Sequence, residues 1–225
     1  MDNQIVFTYN FTKLALAFNR AIVKKEIIGI VSPPGAGFKH ALSRFCEKHY
    51  LKVVFCSVQY KQSIGHVILE LFKDLCNIKF TNINCSQTNL HDLSRAINSR
   101  LRIGDSCLLC IDGCSNLTPS QLKYFVQFLK RFDKPIGLVF RMSETYVKKL
   151  ERDSRFKEIH LNLVEVVDGW GVLEQPTPDE MKAIAYSMGI DNPMIIEDLL
   201  ESSRNNLTIL KKNIEHIKRF RASKS

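Results

Sequence analysis

The apolar residues of this chain fall into two patterns: short continuous runs, and one longer stretch with a helical repeat. Over 11–24, apolar side chains recur every three or four positions, which predicts an amphipathic helix. Runs that are apolar throughout are typical of strands buried on both faces of a parallel sheet. Such runs predict strands at 27–31, 52–57, 107–111, 136–140 and 158–164.

Segments with helical character separate these predicted strands. They lie near 39–49, 63–76, 89–101, 119–131 and 143–152. Strands that alternate with helices predict an α/β fold built on a doubly wound parallel sheet. After about residue 176 the sequence predicts only helices, at 178–188, 193–203 and 206–221. We therefore expect an α/β core over 1–170 and a helical lid with a basic tail over 171–225.

Local signals mark the beginning of several of these helices. Thr118-Pro119-Ser120-Gln121 and Thr177-Pro178-Asp179-Glu180 each place Thr before the helix, Pro at its first position and Gln or Glu two positions later. This spacing is typical of a capping box. Asn192-Pro193 predicts a third helix start of the same kind.

Composition favours a globular protein with an acidic partner. The 225 residues are 45% hydrophobic and carry a formal net charge of +9. No window approaches the ~18 uninterrupted apolar residues of a membrane span, and the first residues lack a secretory pattern. We expect a cytoplasmic protein without a membrane partner. The basic excess favours nucleic acid, although a merely basic surface would give the same charge.

Seven cysteines form an odd set, and we expect them to be reduced. The spacing of Cys107, Cys110 and Cys114 suggests zinc. However, Cys107 and Cys110 would point to opposite faces of a predicted strand, and no second ligand pair has suitable spacing. We therefore predict no metal site there.

The segment after the first predicted strand has the layout of a phosphate-binding loop. It reads Ser32-Pro33-Pro34-Gly35-Ala36-Gly37-Phe38-Lys39-His40. In the template G-x-x-x-x-G-K-[ST], backbone N–H groups cradle phosphates and the Lys reaches the terminal ones. Here Ser32 takes the first Gly position and Phe38 the Lys position. The candidate nucleotide-binding residues are Pro34, Gly35, Ala36, Gly37, Phe38, Lys39 and His40.

Two interpretations of this loop stay open. Lys39 follows Phe38, and its long side chain could reach back towards phosphate even though one residue turns a helix by about 100°. Alternatively, the loop only joins strand to helix, and Phe38 packs where a nucleotide would lie. ATP and Mg²⁺ are candidate ligands under the first interpretation only.

The order of segments resembles a known family, the AAA+ ATPases of DNA transposition, which include phage Mu B and TnsC-like regulators. The resemblance covers almost the whole chain. It rests on the loop above and on four later segments, which are Leu108-Leu109-Cys110-Ile111-Asp112, Gly137-Leu138-Val139-Phe140, Trp170 to Glu180, and Asn206-Leu207-Thr208-Ile209-Leu210. It implies a three-layer P-loop core with a helical lid that binds ATP between subunits, oligomerises on DNA and recruits a transposase.

Several functional positions of that family are altered. Asp112 matches the carboxylate that acts on Mg²⁺, or equally caps the following turn. The next position should be a Glu that polarises water, but it is Gly113. Arg141-Met142 replaces the expected polar residue after the fourth predicted strand, and Ser143 is expected to cap a helix. In the lid, Thr208 replaces the expected basic residue.

Three further residues are candidates through the resemblance. Arg152 and Arg155 lie where related proteins place arginines that reach a neighbouring subunit's nucleotide, although surface arginines would look the same. Lys61, in the loop after the second predicted strand, is the candidate DNA contact or an ordinary surface lysine.

Three functions fit these observations. The first is a non-hydrolysing transposition accessory that binds DNA or a transposase as a homo-oligomer. The second is an active ATPase that uses Lys39. The third is a scaffold that binds another AAA+ protein without DNA. Because the expected Lys, Glu and two sensor residues are all replaced, we predict negligible ATP hydrolysis.

Overall fold

A computed structural model describes residues 8–49, 52–60, 62–63, 65–68, 107–132 and 136–223. Among these residues, five strands form one sheet in the order β2-β3-β4-β1-β5. The strands are β1 (Ile27–Ser32), β2 (Lys52–Ser57), β3 (Cys107–Asp112), β4 (Gly137–Ser143) and β5 (Gly169–Val172). The pairs β1 with β5, β2 with β3, and β3 with β4 are parallel. This is the α/β P-loop architecture that the sequence predicts.

Helices flank the sheet and follow it. Their bounds are α1 (Tyr9–Lys24), α2 (Phe38–His49), α3 (Pro119–Arg131), α4 (Glu144–Arg152), α5 (Lys157–Val166), α6 (Pro178–Ser187), α7 (Pro193–Ser203) and α8 (Leu207–Ala222). Two short 3₁₀ turns, Cys114–Asn116 and Ser154–Phe156, follow β3 and α4. Within the described ranges, no helix is long and apolar enough to cross a bilayer.

The described residues divide into two compact units. The loop-and-lid unit combines Met1–Ala15, Ser32–Arg44 and Leu173–Ser225, and the sheet unit combines Leu16–Val31 and Phe45–Val172. In the loop-and-lid unit, α6, α7 and α8 bury their own apolar cluster, which includes Met181, Leu199 and Leu210. The predicted boundary between residues 170 and 171 stays a prediction.

In the sheet unit, strand β3 is buried along its whole length. Every residue of β3 is buried, which explains the apolar run over 107–111 that leads up to Asp112. Gly137, at the start of β4, lies where a Cβ would overlap the backbone carbonyl of Ala21. The glycine therefore lets α1 approach the sheet closely.

The strand predicted at 158–164 is wrong, because this segment belongs to α5. Ile159 and Leu163 are its buried residues, four positions apart, whereas Leu161 and Val164 are exposed. That spacing is helical, and the apolar run obscured it. The fifth strand is instead Gly169-Trp170-Gly171-Val172, whose two glycines give a weak strand signal.

The predicted helix starts at the two Thr-Pro sequences are confirmed. Thr118 and Thr177 cap α3 and α6, each with the complete reciprocal capping box. Asn192 caps α7 in the predicted way. The predicted helix 89–101, most of 63–76 and the candidate DNA contact Lys61 lie outside the described residues.

Candidate functional site

Two glycines shape the loop between β1 and α2. Gly35 has φ 77° and Gly37 has φ 89°, backbone conformations that L side chains rarely adopt. The Gly37 carbonyl accepts a hydrogen bond from the Ala41 N–H at 2.9 Å. The loop therefore turns at two glycines and leads directly into the N-terminus of α2, where backbone N–H groups can contact an anion.

The first residue of α2 is Phe38, and its side chain is only 4% exposed. Lys39 and His40, the next two residues, are exposed. Because each residue turns the helix by about 100°, Lys39 lies on a different side of α2 from Phe38. A buried aromatic ring therefore occupies the sequence position at which the template places its phosphate-binding cation.

The beginning of α8 contacts this loop. The Leu207 N–H donates to the Gly35 carbonyl at 3.0 Å. A Cβ on Gly35 would overlap the Asn206 carboxamide, and one on Gly37 would lie 3.1 Å from Leu207 Cδ1. Asn206 also caps α8, accepting from the backbone N–H groups of Thr208 and Ile209. Asn206 and Leu207 therefore fasten the lid to the loop, and we call this contact the latch.

Asn10 supports the same unit from α1, although the sequence analysis did not identify it. Its side chain is buried, donates from Nδ2 to the Glu174 carbonyl at 2.8 Å and accepts from the Glu174 N–H at 3.1 Å. It also donates to the Ala36 carbonyl at 3.5 Å. Its position in the sequence could have indicated its burial, since Asn10 lies four residues before the buried Leu14 on the apolar stripe of the helix.

In the sheet unit, Asp112 ends β3 and forms an ion pair with Arg141 of β4. Arg141 Nε donates to Asp112 Oδ1 at 2.5 Å. The carboxylate is 6% exposed and the guanidinium side chain 23%. The pairing follows from the parallel register of β3 and β4. Because Ile111 lies opposite Phe140, the following residues, Asp112 and Arg141, are neighbours on adjacent strands. The carboxylate of Asp112, the candidate Mg²⁺ ligand, is therefore paired with the Arg141 guanidinium.

Gly113 has a conformation that disfavours the glutamate of the family. Its φ is 76° and its ψ is 23°, which is the left-handed region. A Cβ there would lie 2.9 Å from the Val58 carbonyl oxygen. A side chain at this position would meet both backbone strain and a close contact. The geometry of the turn therefore disfavours a glutamate there.

The polar residues that follow Gly113 have structural partners. Ser115 Oγ accepts from the Ser143 N–H at 2.6 Å, and Asn116 Nδ2 donates to the Val58 carbonyl at 2.8 Å. Ser143 caps α4, as predicted. Nearby, burial raises the pKa of the Cys114 thiol and raises the pKa of Tyr146 to about 12. Both groups therefore stay protonated at neutral pH.

The candidate inter-subunit arginines lie at and just after the end of α4. Arg152 is exposed. The Arg155 guanidinium forms hydrogen bonds to both carboxylate oxygens of Asp153, at 2.6 Å to Oδ2 and 3.0 Å to Oδ1. These hydrogen bonds lower the pKa of Asp153 to about 2. A role for either arginine in a neighbouring subunit stays a prediction.

Several solved structures have a similar fold. Cdc6p of Pyrobaculum aerophilum aligns with a TM-score of 0.55 and 15% identity over 79% of this chain and 47% of that one. The RuvB Holliday junction branch migration motor of Thermotoga maritima gives 0.53 and 14% over 93% and 61%. The Walker-type ATPase PABY2304 of Pyrococcus abyssi gives 0.61 and 12% over 96% and 69%.

These structures share the three-layer α/β P-loop fold with this chain. At these identities the likeness concerns the fold alone. The chain spans about half to three-fifths of the length of Cdc6p and RuvB. No protein-family model matches the chain, and a comparison with curated proteins found no significant match.

The side chains present fit a magnesium-bound triphosphate poorly. Phe38 supplies no positive charge, and Gly113 supplies no general base. The Asp112 carboxylate already has a cationic partner in Arg141. In the loop-and-lid unit, the glycine-shaped loop still offers backbone groups that can contact an anion.

Proposed function

We propose that this chain is an AAA+-type accessory or regulator of DNA transposition that binds DNA, a transposase or an AAA+ partner without hydrolysing ATP. The ion pair between Asp112 and Arg141 carries the proposal. In an ATPase of this type, the strand-end Asp acts on the metal that neutralises developing charge. Here Arg141, in the same sheet unit, neutralises that carboxylate.

The loop supports the same conclusion from the other unit. The latch joins Leu207 directly to the Gly35 carbonyl, so the lid is fastened to the loop by protein groups alone. The buried Phe38 adds apolar packing at the position of the phosphate-binding lysine. These contacts join the loop and the lid through groups of the chain itself.

Charge supports a nucleic-acid partner. The net charge of +9 gives the chain a long-range attraction for polyanions, which raises association rates with DNA. The role in transposition, and the assembly of several copies, rest on the order of sequence segments that resembles the Mu B and TnsC-like group. RuvB, a structural neighbour, is a Holliday junction branch migration motor by name.

Binding of the purified chain to duplex DNA, followed by fluorescence anisotropy at two salt concentrations, tests this function. We expect binding at about 50 mM salt that weakens steeply by about 200 mM, because each neutralised phosphate releases counterions. No binding at the lower concentration, or binding indifferent to salt, would remove the DNA role and leave a scaffold for a protein partner.

A further inference from the structure

The last helix of the lid, α8, carries most of its charge on the sides that do not pack in the lid. Its buried residues are Leu210 and Ile214, and Leu207 and Ile217 pack against the same cluster. The helix contains five basic residues and one acidic residue, Glu215. The basic residues are Lys211, Lys212, Lys218, Arg219 and Arg221, and all five are exposed.

Four of these cations form two adjacent rows. Lys211 and Lys218 are seven residues apart, as are Lys212 and Arg219, so each pair lies on one side of the helix about two turns apart. The two rows are offset by about 100°: Lys212 and Arg219 lie opposite the apolar stripe, and Lys211 and Lys218 lie along its edge. We call these four residues the basic face.

In the part of the chain that the structure describes, the cations of the basic face are not paired with carboxylates. Across the described ranges, none of its four side chains forms an ion pair with an acidic group. Elsewhere in the structure, cations such as Lys13, Lys130 and Lys148 have carboxylate partners. Charge is therefore concentrated on α8 rather than balanced locally.

We propose that the basic face of α8 binds the phosphate backbone of nucleic acid. This inference rests on the proposed DNA-binding function and assigns that function a surface in the lid, in place of the loop that contains Lys61. The side chains reach phosphates as flexible point charges, so the contact gives affinity and salt dependence rather than sequence preference.

A lipid surface fits this helix poorly, since a membrane-bound amphipathic helix inserts its apolar side. In α8 that side is occupied, because Leu210 and Ile214 are fully buried in the lid. A second copy of the chain is the nearest competitor. The exposed Glu197, Asp198 and Glu201 of α7 could meet the basic face of another molecule. The net charge of +9 opposes that approach and favours a polyanion.

The salt dependence of DNA binding tests the inference in the full chain. The double variant Lys212→Gln/Arg219→Gln removes two charges and keeps good helix-forming residues. On duplex DNA, the slope of its log affinity against log salt is expected to be less steep by roughly 2, with affinity about tenfold lower at low salt. The Glu215→Gln variant is expected to bind a few-fold more tightly, because it removes the negative charge between the rows.

A double variant with the same change in net charge provides the control. Lys148→Gln/Lys182→Gln removes two exposed lysines from α4 and α6, and its slope is expected to stay within the error of the wild-type value. Circular dichroism and unchanged thermal midpoints establish that all variants fold. A same-length single strand, titrated in parallel, shows whether the phosphates bound are those of a duplex or of a single strand.

Equal slopes for the two double variants would overturn the inference while leaving the DNA-binding function intact. If the wild-type chain binds no DNA, the proposed function itself fails. Two further results would also overturn the inference. One is binding of polyglutamate as tight as that of DNA. The other is a salt-sensitive self-association that Lys212→Gln/Arg219→Gln abolishes without changing the DNA slope.

Discussion

Replacing Arg141 with methionine is expected to lower the free energy of unfolding by about 3 kcal/mol, because it leaves the Asp112 carboxylate buried without its cation. The carboxylate is 6% exposed, so water cannot replace the guanidinium well. Methionine keeps much of the volume of the arginine stem, so the loss reports the missing charge rather than a cavity. Urea unfolding followed by circular dichroism measures it.

Two controls separate this effect from a general cost of substitution. The double variant Asp112→Asn/Arg141→Met removes both charges and is expected to recover most of the lost stability. The Lys148→Met variant breaks an ion pair with Glu144 in which both side chains are more than half exposed, and is expected to cost less than about 0.5 kcal/mol. A loss no larger for Arg141→Met than for Lys148→Met would contradict the role of the pair.

The Gly35→Ala variant is expected to destabilise the loop-and-lid unit by roughly 2 to 3 kcal/mol, because two costs add. The residue has φ 77°, and the added methyl group would overlap the Asn206 carboxamide of the latch. Hydrogen exchange of the α8 amides measures the effect directly, since release of the latch exposes the first turn of that helix.

Gly189 offers a matched control for backbone strain. It also has φ 77°, but a Cβ there would meet nothing within 4 Å. Gly189→Ala is therefore expected to cost only about 1 kcal/mol, without faster exchange at the start of α8. If the two alanine variants have the same stability and the same exchange pattern, Gly35 is not held by the latch.

Local chemistry made much of the fold predictable. The Thr-Pro sequences at 118–119 and 177–178 identify their helices because the capping box satisfies backbone groups within four residues. Buried strands such as β3 were also recognisable, since a run without polar residues is hard to place elsewhere. These signals are strong because they do not depend on the rest of the chain.

The fifth strand shows where local reasoning fails. Gly169 and Gly171 have low intrinsic preference for strands, and β5 forms because it pairs with β1. The neighbouring α5 has a denser apolar sequence and resembles a strand in isolation. Tertiary pairing decided between the two segments, and no window of sequence contains that information.

The candidate site divides in the same way. Phe38 and Gly113 are visible in the sequence as departures from a motif, but the partner of Asp112 is not. In the sequence, Arg141 stands where the family places a different polar residue. The parallel register of β3 and β4 makes Arg141 the neighbour of that carboxylate. Placing the two strands side by side would have been enough to suggest the pair.

The most direct test of the central claim is turnover of radiolabelled ATP with Mg²⁺ by the wild-type chain and by Lys39→Ala, with and without DNA. Loss of a single group that stabilises the transition state typically costs about 3 kcal/mol, and several such groups are replaced here. We predict equal release of phosphate at background level in both proteins. Magnesium-dependent turnover by the wild-type chain that Lys39→Ala abolishes would contradict the account.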